Sequence, residues 1–144
     1  MVKKHDGLRK WLFTRKVLID DVAFSHSHPI LTLSTGIAAK SDLRLLSEFL
    51  HEEMHWHLNM HPAELKLAMV DVKSEYPNVK VGREQGGARN EESTYLHLLV
   101  CYLELETPSE LIGQKRARRV VRVKPYYRWI YRKVASDTLS GKDN

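Results

Sequence analysis

His51, Glu52, Glu53, Met54 and His55 form a His-Glu-x-x-His pattern, and its chemical meaning is geometric. Residues four apart on an α-helix project from one face, close enough for two imidazoles to share one ion. Zinc suits imidazole nitrogen and lowers the pKa of a bound water to about 7. Glu52 follows the first histidine, where a general base would take a proton from that metal-bound water. The competing reading is a histidine-rich helix face with both imidazoles in solvent.

A catalytic zinc takes three protein ligands and keeps a fourth position open. Cys101 is the one cysteine, which excludes an internal disulfide and a multi-cysteine knuckle, so imidazoles and carboxylates must supply the donors. His97 is the first choice for the third ligand, because an imidazole in an otherwise apolar stretch needs a partner. A core histidine bonded to a carbonyl or carboxylate is the alternative. Glu91 and Glu92 open the same stretch and are rival ligands. Glu104 lies two turns beyond His97 on about the same side. It is a rival ligand, an acceptor that orients an imidazole, or a buried partner for an arginine.

His57 and His61 repeat the spacing, but two positions turn a helix by about 200°, so they face away from the first pair and are expected at the surface. His26 and His28 flank a turn and are expected to be exposed, although alternate residues of an extended strand would both face a cleft. Near the C-terminus Tyr126, Tyr127 and Tyr131 accompany Trp129. Packing of an aromatic helix accounts for most of them. Tyr127 is the candidate to place a hydroxyl on a developing oxyanion.

The elements that must position these groups follow from pattern. Residues 17–24 and 30–35, rich in β-branched and aromatic side chains, are expected as two strands of a small sheet around a turn at 25–29. From Ser41 or Asp42, either a capping residue, Leu43, Leu46, Phe49, Leu50, Met54 and Leu58 keep helical spacing as far as Pro62. A second helix is expected over 63–75 and a glycine-containing loop over 79–89, with room for a short strand at its start. Ser93 or Thr94 would then cap a helix over 95–105 that is apolar almost all round, as a helix through the core is. Pro108 begins a short segment ending near Gly113, a basic run follows, and residues 126–134 close the chain as a helix before a frayed tail over 136–144. The class is α+β, one domain over 1–144, with a short sheet packed on the histidine helix and a second buried helix.

The 144 residues, 42% hydrophobic and 28% charged, suit a globular protein. No apolar run approaches the roughly 18 residues of a membrane span, and the start has no apolar core of a signal peptide, so a cytoplasmic protein is expected. The net charge of +5 is concentrated in Lys115, Arg116, Arg118, Arg119, Arg122 and Lys124, a run read as a solvated helix face or strand edge. No nucleic-acid motif accompanies it.

At His51, Glu52 and His55 the chain resembles the zincin superfamily of metallopeptidases, in which the histidines bind zinc and the glutamate is the general base. It is also similar to a compact, single-domain bacterial family of largely uncharacterised proteins, through residues 25–29, 93–98 and 129–131. The first resemblance implies a small zincin-like domain, a Zn²⁺ cofactor and a peptide or protein substrate. The longer three-histidine signature of metzincins is absent: Trp56, His57, Leu58 and Asn59 follow His55. Asn90-Glu91 resembles the pair around the third ligand of gluzincins, at a long separation from His55 and followed by a second glutamate. The expected function is a zinc metallopeptidase whose substrate strand adds to the sheet edge near residues 30–35. The alternatives are a non-catalytic metal-binding module and a basic nucleic-acid-associated protein with incidental histidines.

Overall fold

A computed structural model describes residues 10–38 and 41–140. Strands β1 (Val17–Asp20) and β2 (Leu31–Ser34) precede a short helix α1 (Thr35–Ala38). Then come α2 (Asp42–Met60), α3 (Pro62–Glu75), α4 (Glu91–Ile112), α5 (Gln114–Arg122) and α6 (Arg128–Ser140). The molecule is mostly helical with one two-stranded sheet, α+β in the coarse sense.

The strands pair in parallel, with Val17 opposite Leu31 and Asp20 opposite Ser34. The connection between them doubles back, and His26 exchanges both backbone hydrogen bonds with Thr32 at 2.8 and 3.0 Å. Ser34 donates its N–H to Ser25 Oγ at 3.0 Å and its hydroxyl to the Val22 carbonyl at 2.8 Å. The second edge of β2 is thus taken by the chain itself, which corrects the expectation that a substrate strand adds there. β2 is buried on α2, where Leu31 and Leu33 join Leu46, Phe49 and Leu50, while β1 is exposed.

Ser41 caps α2, its Oγ accepting from Arg44 N–H at 3.1 Å. Such a cap is worth about 1 kcal/mol. Glu53, fully buried, accepts at Oε2 from the N–H groups of Phe13 and Thr14 at 2.6 and 3.2 Å and ties the incoming chain to α2.

α4 is the central helix and packs against α2, α3, α5 and α6. Its cap is Asn90, whose Oδ1 accepts from Ser93 N–H at 2.8 Å, in place of Ser93 or Thr94. Thr94 is buried in another role, accepting from Ala88 N–H at 3.0 Å and donating to the Asn90 carbonyl at 2.9 Å. The expected break at Pro108 is absent, and the helix runs through it to Ile112. Proline removes one backbone bond, but Pro108 is buried and the flanking hydroxyls of Thr107 and Ser109 bond the carbonyls of Leu103 and Leu105 at 2.8 and 2.6 Å.

Leu98, Cys101 and Leu105 of α4 form the larger core with Val121 of α5 and Ile130, Tyr131 and Val134 of α6. The basic run forms α5, with Arg116 and Arg119 in solvent and Ala117 and Val121 inward. α6 continues through Ser136 to Ser140 where fraying was expected; residues 141–144 of that tail lie outside the described residues.

Candidate metal centre

His51 and His55 leave one face of α2, and His97 meets them from α4. One ligand nitrogen from each lies within 4.8 Å of the other two. The ring centroids are 5.3 Å apart for His51 and His55, 5.7 Å for His51 and His97, and 5.1 Å for His55 and His97. A tetrahedral zinc with ligands at ~2.0–2.1 Å holds its nitrogens roughly 3.4 Å apart, inside that limit. Three converging imidazoles fit the donor set of a zinc site.

Two of the rings are oriented from behind. His97 Nδ1–H donates to the Ser93 carbonyl at 2.7 Å, and His51 Nδ1–H donates to Glu104 Oε2 at 2.8 Å. The bond at His97 fixes the tautomer and leaves the Nε2 lone pair for a cation, while at His51 an ion at Nε2 would take the place of a proton. Burial, helped by the His51 charge, lowers the pKa of His97 to about 4. Burial, then the charges of His51 and His97, brings His55 down to about 2. Both are neutral near pH 7, the form that binds metal. For His51 burial is the largest influence and opposes protonation, but the facing Glu104 carboxylate and the contact with Cys101 together outweigh it and hold the pKa well above 6.5. That carboxylate favours positive charge on the imidazole, and a divalent ion at Nε2 answers it as a proton does.

Glu104 is the hub of this support. Its Oε1 accepts from Ser47 Oγ at 2.7 Å and from Lys124 Nζ; its Oε2 accepts from His51 and from the Tyr131 hydroxyl at 2.6 Å. Burial would raise its pKa, yet Lys124 and His51 hold it well below the ordinary carboxylate range. The expectation of an acceptor orienting an imidazole is met at His51, and the buried cation is Lys124. Lys124 is 2% exposed, a correction to its place in a solvated run.

His51, Cys101 and Glu104 also cluster within 4.8 Å, all buried. Glu104 already accepts four hydrogen bonds there, and burial pushes the Cys101 thiol above its ordinary pKa.

Glu52 is 6% exposed and lines a cavity of about 310 Å³ together with His51, Tyr126, Tyr127, Arg83, Arg89 and the segment of Ala23, Phe24 and Ser25. Burial raises its pKa to about 7, with the His51 charge opposing and Glu48 and Glu104 adding to the rise. A carboxyl poised near neutrality can both accept and return a proton. Tyr127 lies just before α6 with φ of 53°, a left-handed conformation that costs a bulky residue about 1–3 kcal/mol. It holds the ring 4.4 Å from that of His97 and 5.9 Å from that of His51. Burial raises its pKa and keeps the hydroxyl protonated.

Other candidates stand apart. Glu91 and Glu92 are exposed at the start of α4, and Glu92 pairs with Lys73 at 2.8 Å. His61 Nδ1–H donates to the His57 carbonyl at 2.8 Å, and the His57 ring packs 4.8 Å from that of Phe13. His26 and His28 are exposed; His28 stacks on Trp56 at 4.2 Å, with Ser27 Oγ 2.8 Å from Nδ1 and Asn59 Nδ2 3.2 Å from Nε2.

Sequence reasoning missed Ser47, Lys124 and the Tyr131 hydroxyl. One signal pointed to them: Glu104 stands in a run of apolar residues and requires a buried counter-charge. No family model, curated protein or solved structure matches this chain.

Proposed function

We propose that the chain is a zinc-dependent hydrolase of peptidase type, zincin-like in the use of His51, Glu52 and His55 on one helix, with His97 as third ligand. The observation that carries this reading is the convergence of three imidazoles, one of which, His51, lines a cavity together with the buried Glu52. The group comprises three imidazoles, the number an open catalytic site uses.

Zinc, when bound, would polarise a carbonyl oxygen and make water nucleophilic near neutral pH. Glu52 receives the proton of the attacking water and delivers it to the leaving amine. Tyr127, kept protonated, is the candidate hydrogen-bond donor to the oxygen that gains charge. Glu104, Lys124 and Tyr131 keep the His51 ring in position.

The test pairs metal analysis with turnover. Wild type and Glu52→Gln should each hold about one zinc per chain, while cleavage of a mixed peptide library, read by mass spectrometry, falls by about 10²–10⁴ in the variant. Undiminished cleavage would remove Glu52 as general base. Absence of zinc from both proteins would sink the hydrolase.

A further inference from the structure

The arginines play no part in the chemistry above. Between α5 and α6 a cavity of about 590 Å³ is lined by Arg118, Arg122, Arg128 and Arg132, with Tyr131 and Lys124 also on its wall. A second, of about 420 Å³, shares Arg128 and Arg132 with it and has Arg83 and Glu84 on its lining. Arg83 also lines the cavity of about 310 Å³ that holds His51 and Glu52, as does Arg89. The three cavities thus adjoin through shared side chains, and the arginines on their linings mark a track from the α5–α6 groove towards Glu52.

The charge along this track is unbalanced. Arg83, Arg89, Arg122, Arg128 and Arg132 form no ion pair with a carboxylate among the described residues. The acids beside them are Glu84 midway and Glu48 and Glu52 at the metal end. Glu48 is already engaged by Arg44 and Lys124, each at 3.5 Å. A single exposed arginine is a solvated side chain, but like charges around joined concavities focus their field.

The track is also braced. Arg83 and Arg89 sit on a loop whose Gly86 carbonyl accepts from Trp129 N–H of α6 at 3.1 Å. A Cβ on Gly87 would fall 1.8 Å from the Lys80 carbonyl oxygen, so the backbone closes on itself there. The loop and α6 therefore hold the two ends of the track in a fixed relation.

We propose that this arginine track is an exosite for an acidic polypeptide segment of the substrate, which lies along it while the bond to be cut reaches Glu52. The choice of a polypeptide rests on the peptidase reading, since one molecule must occupy both places. Guanidinium groups match carboxylates through paired N–H donors, which suits a run of glutamate or aspartate.

The test is binding of fluorescein-labelled decaglutamate to the full chain, followed by fluorescence anisotropy at two salt concentrations, with decathymidylate as comparator. Wild type should bind decaglutamate with an affinity that falls with salt and is unchanged by a chelator. The triple variant Arg122→Gln, Arg128→Gln, Arg132→Gln should bind roughly tenfold more weakly or worse, with its circular dichroism unaltered. The loop variant Arg83→Gln, Arg89→Gln gives a second measurement should the triple variant not fold, and should also weaken binding. Absence of decaglutamate binding in wild type, or equal binding in folded variants, would overturn the proposal. Tighter binding of decathymidylate, lost in the same variants, would overturn it in favour of nucleic acid. A chain without zinc that still binds decaglutamate through these arginines would separate the failure of the hydrolase from that of the exosite.

Discussion

Two histidine pairs have the same i, i+4 spacing, one within α2 and one running from its last turn to the capping residue His61, and only the first is a candidate metal site. His51 and His55 face α4, which supplies His97 as a third nitrogen and Glu104 as the acceptor behind His51. His57 packs on the incoming chain at Phe13, and His61, its ring 4.5 Å from that of His57, uses its Nδ1 on the carbonyl of its own pair member. Spacing brings two imidazoles together; the element packed opposite decides whether they have a ligand's surroundings.

The strongest way to break this comparison is to delete each pair in turn. His51→Ala with His55→Ala should abolish zinc binding, whereas His57→Ala with His61→Ala should leave about one zinc per chain by mass spectrometry. Equal loss from both would mean that the facing helix is irrelevant. A smaller change strikes the support alone. Glu104→Gln removes the nearer of the two carboxylates on buried Lys124 and leaves only Glu48 at 3.5 Å, and should lower stability by about 3–5 kcal/mol in chemical denaturation. It should also weaken zinc affinity by roughly 10–100-fold in chelator competition. Unchanged affinity in that variant would detach Glu104 from the site. The mildest change, Ser47→Ala, removes one of four donors and should cost about 1–3 kcal/mol with zinc retained. A loss as large as that of Glu104→Gln would show that the hub depends on every donor.

The helices were legible because their caps and apolar spacing are local: α2 and α3 begin and end within a residue or so of where Ser41, Pro62 and Tyr76 place them. The strands were legible as strands but not as a parallel pair, since pairing depends on how residues 21–30 fold back. Asn90 was overlooked as a cap because Ser93 and Thr94 stand nearer the apolar run, and Pro108 was read as a break although hydroxyls on either side bond the adjacent turns. At the site, His51, Glu52 and His55 lie within five consecutive letters, and His97 was identified by its apolar neighbours. Lys124 was hidden because it ends a run of solvated cations; its partner is twenty positions earlier on another helix.

Three of the four donors to Glu104 come from Ser47, Lys124 and Tyr131, groups with no part in holding a metal. The hydrogen bonds that position His51 are thus supplied by groups that would hold no ion. In small domains where metal takes the place of a core, scarcity of the ion unfolds the protein. Under the zinc reading proposed above, scarcity should instead leave folded, empty molecules, so that the supply of metal sets how many copies are competent rather than how many persist.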